Sequence, residues 1–382
     1  MFKIKFYIYR YNRYKMSKNL HEKPFDEATI AKLEIFEDYA QAWIPTFVMY
    51  GDPVICIFDF FAGTGYDKKG VPGSPIRILN KIKEQTENIF RKKIKIKVFF
   101  NEYDKAKCNL LRNACDEYLK SHPNVQIAVE LSIINEDFKV AFFEFLPFIQ
   151  EYPSLVYLDQ NGIQFLASKY LLALEQTFRT DFLYFVSSSY FWRFGEKEEF
   201  RAYVELDMNL AKQNPYQFIH RSILEQLKTT LPIGSQLKLY PFSLKKGANI
   251  HGIIFGATHP RAVEKFLTIA WKRNESNGEA NFDINDDEKK AQLSFFESKK
   301  LNKRESFQQK LRAKVLDGSI ANNVDAYKFA LDEGHIGSHA SDELKRMKEE
   351  KLIHYLSNSP LVTYQKVYGS QNKLLEYKIL KK

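Results

Sequence analysis

Asp59 closes an apolar run, Val54 to Phe58, and is followed at once by Phe61-Ala62-Gly63-Thr64-Gly65, with Gly70, Pro72, Gly73 and Pro75 just beyond. This order predicts a buried strand, a glycine turn and then a helix beginning near Ile76. Glycines at the end of such a strand reach backbone angles closed to other residues and let a ligand lie against bare backbone, and strand carboxyl ends are where open α/β sheets bind ligands. A nucleotide-like cofactor fits that description. The pair Gly63-x-Gly65 is neither a full dinucleotide fingerprint nor a phosphate loop, because no Gly-Lys-Ser/Thr follows, and a plain tight turn accounts for it equally well.

Two further acids stand in comparable places. Glu102 ends the run IKIKVFFNEYD, where an acid accepts hydrogen bonds from ribose hydroxyls in nucleotide-binding folds, although it lies farther from the turn than is usual. Asp159, Gln160, Asn161 and Gly162 follow the short apolar run Ser154 to Leu158, and polar groups beside the glycine turn are where chemistry on this scaffold belongs. Asp159 serves there either as a proton acceptor or as the cap of the next helix. Asn135-Glu136-Asp137, after a third strand read over Val125–Leu131, either contacts an adenine amino group or caps the helix Lys139–Leu146. Ser187-Ser188-Ser189-Tyr190-Phe191-Trp192-Arg193 follows a fifth strand, and its hydroxyls, aromatics and Arg193 suit a base and a phosphate or a capped, inward-packing helix.

The elements that hold these residues alternate. An amphipathic helix runs from Asp26 and ends before Pro45; one helix follows the glycine turn through Ile82 and Phe90; another spans Lys105–Leu119. The segment 197–232 is a polar helical insertion, and Leu237–Phe242 with Asn249–Thr258 forms an antiparallel pair closing the sheet. Lys272–Leu301 loses periodicity and reads as a linker or surface excursion. The remainder follows the order of a winged helix: a basic helical run (Arg304, Lys310, Arg312, Lys314), a helix, Gly334-His335-Ile336-Gly337, a helix whose Lys345, Arg346 and Lys348 are offset by Asp342, Glu343, Glu349 and Glu350 and which suits a protein partner as well as a groove, then two strands around Gly369. The domain division is therefore 1–27 as an extension, 28–272 as the α/β core, 273–318 as linker and basic helix, and 319–382 as the winged-helix-like unit.

Bulk properties narrow the classes. In 382 residues, 45% hydrophobic and 27% charged is ordinary globular composition, which excludes disorder as the main story. A net charge of +10 favours an acidic partner such as nucleic acid, while the spread of the lysines also fits a merely Lys-rich surface. Cys56, Cys108 and Cys115 form neither a disulfide framework nor a metal knuckle and point to a reduced, cytoplasmic protein. His335, His339 and His354 lack zinc-ligand spacing, so no metal is assigned. No apolar run is long enough for a membrane span, the opening fifteen residues lack the core of a signal peptide, and a start at Met16 is open.

The element order, the turn after Asp59 and the polar group after the fourth strand together resemble the class I methyltransferase fold, which binds S-adenosylmethionine. More closely, KLEIFEDYAQAW, FFAGTGYDKKGVPGSPIRIL, LDQNG and DFLYFVSSSYFWRF are similar to the three-Cys-motif partner family (TcmP) over about residues 28–270. That family is named for genomic pairing with a protein bearing three cysteines, so the resemblance implies such a protein as a possible partner in a phage-defence or mobile-element module. It implies that Asp59, Ala62, Gly63 and Gly65 lie against the methionine part of the cofactor, Glu102 against the ribose and Asp137 near the adenine, with Asp159, Gln160 and Asn161 facing the acceptor. Ser188, Arg193, Lys345 and Arg346 are the candidate nucleic-acid contacts. Amino methyltransferases carry two prolines and an aromatic after the fourth strand; this chain has no proline there and Gly162 in the aromatic's place. The expectation is thus a methyltransferase-like protein acting on nucleic acid, the alternative a non-methylating partner subunit that binds nucleic acid or protein.

Overall fold

The computed structural model describes residues 24–159, 168–177, 179–186, 207, 209, 219–246, 249–286 and 301–380. Helix α1 (Glu27–Tyr50) leads into strand β1 (Val54–Asp59), helices α2 (Ser74–Lys83) and α3 (Thr86–Lys92), and strand β2 (Lys95–Asn101). Helices α4 (Lys105–Ser121) and α5 (Pro123–Ala128) precede β3 (Val129–Ile134); α6 (Phe138–Glu151), β4 (Ser154–Leu158), α7 (Ser168–Glu175) and β5 (Thr180–Val186) follow. After α8 (Ile219–Thr229) come β6 (Lys238–Lys246), β7 (Asn249–Ala257) and α9 (Pro260–Arg273).

The strands form one seven-stranded sheet in the order β3-β2-β1-β4-β5-β7-β6. The pairs among β1 to β5 are parallel, and β7 runs antiparallel to both of its neighbours. The α/β reading and the closing antiparallel pair therefore hold. Alternation along each strand divides the core in two. Ile55, Ile57, Val98, Leu155, Tyr157 and Leu183 face the layer of α1, α2, α4 and α9, while Cys56, Phe58, Phe99, Val156, Phe182 and Tyr184 face α6, α7 and α8. Cys56, Cys108 and Cys115 are free and buried.

Local expectations fail in four places. Helix α1 does not stop before Pro45 but continues to Tyr50. An interior proline costs a helix about 3 kcal/mol, which the burial of Trp43, Ile44 and Val48, at about 1.5–3 kcal/mol each, outweighs. Beside the carbonyl of Gln41, which the proline leaves without its helical donor, the carbonyl of Ala42 accepts from Thr46 Oγ1 at 2.8 Å and from Lys265 Nζ at 2.8 Å. The single helix read through Phe90 is two, α2 and α3, and Thr86 Oγ1 donates to the freed carbonyl of Lys83 at 3.0 Å. The strand read over Val125–Leu131 starts at Val129; Pro123, pre-set for a first helical turn, begins the short α5 instead. Finally, residues 274–286 are no surface excursion: Asn277, Ala280 and Ile284 are fully buried, and Ala280 bridges Ser243 of β6.

Beyond that stretch, α10 (Lys303–Leu316), α11 (Asn323–Asp332) and α12 (Gly337–Glu349) are followed by β8 (Ile353–His354), α13 (Tyr364–Val367) and β9 (Lys378–Ile379), with β8 and β9 forming a two-stranded antiparallel ladder. These helices share one continuous core with the α1 layer. Trp271 of α9 donates from Nε1 to Gly334 O at 2.9 Å, and the Tyr240 hydroxyl donates to Leu331 O at 2.9 Å. Among the described residues, no helix is long and apolar enough to cross a membrane.

Candidate functional site

The chain leaves β1 to build β2 and β3 on one side and crosses to β4 and β5 on the other, so the strand order reverses between β1 and β4. A crevice opens outside strand carboxyl ends at such a switch point. Asp59 ends β1, Glu102 follows β2 and Asp159 follows β4, so three carboxylates from three adjacent strands border one edge.

The glycine turn is held from several sides. Gly63 and Gly65 have φ of 69° and 86°, the left-handed region that disfavours a side chain. At Gly65 the demand is also steric, since a Cβ there lies 2.8 Å from the Ala114 Cβ of α4. Gly65 is thus explained by helix packing. The excursion after it is organised by Asp67, whose carboxylate accepts from the amides of Phe25, Lys69 and Val71, each at 2.8 Å. Burial raises the Asp67 pKa, and these donors bring it below the ordinary carboxylate range.

Glu102 braces the turn from β2. One carboxylate oxygen accepts from Gly63 N at 3.0 Å and the other from Asp104 N at 2.9 Å. Burial pushes its pKa up against those donors and Lys107. Each oxygen keeps a further acceptor site. Tyr103, beside it, is exposed.

Asp59 is buried, with Oδ2 accepting from Ser74 Oγ at 2.6 Å and Oδ1 from Phe61 N at 3.1 Å. Burial, opposed by the two donors and by Lys32 and aided by Asp159, pushes its carboxyl up to about 7. Asp159 forms an ion pair with Lys32, projected from the inner face of α1. The Lys32 ammonium also lies 4.5 Å from the Phe185 ring centre.

Three of these groups escaped the sequence reading. Lys32 was legible as a lone cation in line with Ala28, Ile35, Phe36 and Tyr39 on the inward stripe of α1. Ser74 stands at the first turn of α2, where a serine carries no signal of its own. Asn101 is buried between strand ends: its Nδ2 donates to Phe60 O at 3.3 Å and Glu136 O at 3.1 Å, and its Oδ1 accepts from Glu136 N at 3.1 Å. It locks the turn after β1 to the loop after β3.

Asp137 is the N-cap of α6, accepting from Lys139 N at 2.8 Å, which is the capping alternative of the two open for it. Ala62 sits in the turn and donates to Asn101 O at 2.9 Å. Gln160 and Asn161, Ser188 and Arg193 lie outside the described residues. Lys345 and Arg346 are exposed on α12, far along the chain from the crevice, and Arg346 pairs with Glu343 at 2.9 Å.

No protein-family model matches the chain, and no curated protein matches it. Among solved structures it is similar to the O-methyltransferase TomG from Streptomyces achromogenes, involved in tomaymycin synthesis and solved in complex with SAM, at 11% identity and a TM-score of 0.31, over 63% of this chain and 92% of that one. It is also similar to the DszA carbon methyltransferase at 11% identity and a TM-score of 0.28, over 55% of this chain and 48%, about half, of that one. Likeness this distant leaves the function to be argued from the chain's own residues.

Those residues suit a nucleoside carrying an amino-acid tail. Glu102 has acceptor capacity for a diol. The Asp159 and Lys32 pair offers one charge of each sign, and the buried Asp59 carboxyl, pushed up to about 7, lies close enough for both to act on it.

Proposed function

We propose that this chain is a methyltransferase-like protein that binds S-adenosylmethionine in the crevice outside β1, β2 and β4 and acts on nucleic acid. The observation that carries the reading is the juxtaposition of Asp59, Glu102 and Asp159 at three adjacent strand ends around a positive-φ glycine turn, at the reversal of strand order. When bound, the cofactor supplies a methyl group made electrophilic by its sulfonium. The chain's own residues orient and desolvate: Ala62, Gly63 and Gly65 offer backbone, Glu102 accepts from ribose hydroxyls, and Asp137, beyond its capping role, borders the base. Asp159, Gln160 and Asn161 border the acceptor side.

For the acceptor class, support comes from the net charge of +10 and a pI near 9.1. The helix, turn, helix and two-stranded ladder of α11, α12, β8 and β9 keep the order of a winged helix, so 319–382 joins the methyltransferase-like unit 28–272 as a nucleic-acid-binding part. In this reading Ser188, Arg193, Lys345 and Arg346 contact the nucleic acid. Three free cysteines suit a reduced, cytoplasmic protein, while the three-Cys-motif partner reading rests on the sequence resemblance alone.

One observation favours a second reading, a non-methylating partner subunit: the Asp159 carboxylate, the group named for proton acceptance, is already engaged by the Lys32 ammonium. Calorimetry with S-adenosylmethionine on the full chain, beside Glu102→Ala, tests the first. Binding by the wild type that is weakened in the variant is the expected result, and no binding overturns it. Tritiated methyl transfer to DNA, RNA and protein pools then separates the two readings, since binding without transfer leaves the partner-subunit reading.

A further inference from the structure

We propose that Lys32 and Asp159 form a clamp for the α-amino-acid end of the methyl donor, Lys32 taking its carboxylate and Asp159 its ammonium. This rests on the cofactor reading above and moves Asp159 from the acceptor side of the crevice to the donor side.

The first support is the position of the lysine. Of the ten buried residues of α1, Lys32 alone is charged, with 8% of its surface exposed. Removing an ammonium from water is costly, and a buried ion pair is often matched or bettered in stability by apolar residues of similar volume. Packing of α1 against the sheet accounts for Ile35, Phe36, Tyr39 and Trp43 and leaves the lysine unexplained.

The second is where the pair lies. Asp159 directly follows β4, the neighbour of β1 across the switch point, and keeps 19% of its side chain exposed, so the pair stands at the strand ends that border the crevice and is open to solvent on one side. Asp59 is close enough for both charges to act on it.

The third is capacity. An ammonium has three donors and a carboxylate two acceptor oxygens. Lys32 uses one donor on Asp159 Oδ2, and among the described residues its other contact is the Phe185 ring. A zwitterion therefore adds to the pair without breaking it: its carboxylate meets the free ammonium hydrogens, its ammonium the free carboxylate oxygen, and the four charges alternate in sign.

The test is calorimetry on the full chain with three ligands: S-adenosylmethionine, its decarboxylated analogue, which keeps the amine, and 5′-methylthioadenosine, which has neither group. Lys32→Met is expected to weaken S-adenosylmethionine roughly 10- to 100-fold, the effect of one charge-assisted hydrogen bond, and to leave the other two ligands within about threefold. Lys32→Arg retains most of the affinity. Asp159→Asn weakens both amine-bearing ligands and spares 5′-methylthioadenosine, whose unchanged binding also shows that the variants are folded. Equal weakening of all three ligands by Lys32→Met, or no weakening of S-adenosylmethionine, overturns the clamp while the cofactor reading stands. If the wild type binds none of the three, the cofactor reading fails and the clamp with it.

Discussion

The hydroxyl of Ser74, in the first turn of α2, donates to the Asp59 carboxylate at the end of β1 at 2.6 Å. This bond spans the glycine excursion and joins the last residue of the central strand to the helix that follows. Burial holds the Asp59 carboxyl near pKa 7, so Ser74 meets a carboxylate above that pH and a neutral acid below it. Ser74→Ala is expected to lower stability by about 1.5–3 kcal/mol at pH 8.5 and by about 0.5–1.5 kcal/mol at pH 5.5, as befits a charged and a neutral acceptor. Urea denaturation at the two pH values measures both; equal losses would mean that Asp59 does not change charge between them.

A second buried acid, Asp181 at the start of β5, accepts from the Tyr39 hydroxyl at 2.7 Å, and burial, against Tyr39 and Lys265, raises it to about 7 as well. The folded state keeps a proton on each acid that the unfolded chain has lost, so the stability they contribute is present below about pH 4 and lost as pH rises through 7. His335, packed between Trp271 and Phe307, and His339, packed against Trp271 and His335, act in the opposite direction. Burial, with Lys303 and Arg304 nearby, pushes them down to about 2 and about 4, so their contribution is present above pH 6.5 and lost as pH falls. Between about pH 4.5 and 6.5 the two acids and these two imidazoles therefore act against each other. Asp181→Asn, which keeps the Tyr39 bond, removes one falling contribution, and its stability relative to wild type should rise by about 1.4 kcal/mol per pH unit across that window. A parallel pH profile for the two proteins would sink this assignment.

What the sequence made legible was what short-range pattern encodes. β1 and β4 are apolar runs closed by an acid, and their edges, with the glycine turn and the antiparallel closing pair, follow from residues within a few positions of each other. What stayed hidden depends on partners far along the chain. Pro45 reads as a stop until the burial on either side of it is known, and the start of β3 is set by pairing with β2, which leaves Val125 to the helix that Pro123 begins. The same holds in the crevice. Asn101 is one polar residue before Glu102 in sequence and the lock between two loops in space, and Lys32 acquires its meaning from an aspartate 127 residues away.

The glycines of the excursion separate backbone from packing demands. Gly70 has φ of 77° and open space where a Cβ would stand, whereas at Gly65 the φ of 86° is joined by the close approach of Ala114. Gly70→Ala should cost only the left-handed backbone, about 1–2 kcal/mol. Gly65→Ala adds overpacking against α4 and should cost about 1–3 kcal/mol more. Guanidinium unfolding midpoints of the two variants compare them directly; equal shifts would show that α4 yields to the added methyl.

Arg312 and Arg346 both reach Glu343 and separate structural from available positive charge. Arg312 Nε donates to Glu343 at 2.6 Å and its other nitrogens to Glu350 at 2.6 and 3.0 Å, while the Glu343 side chain is only 2% exposed. Arg312→Ala leaves that buried carboxylate with Arg346 alone, and a loss of roughly 3 kcal/mol is expected, the low end for breaking a buried pair. Arg346, 54% exposed, pairs at 2.9 Å and should contribute at most about 1 kcal/mol to stability. Its charge, with that of Lys345, is available to a phosphate, so Arg346→Ala and Lys345→Ala should each lessen the salt dependence of duplex binding by about one counterion with little change in unfolding. Fluorescence anisotropy on a labelled duplex across a salt series, beside urea melts, reads the two effects separately. A flat salt response in the wild type would remove nucleic acid from the proposed function and leave the α12 lysine and arginine as solvated surface charge.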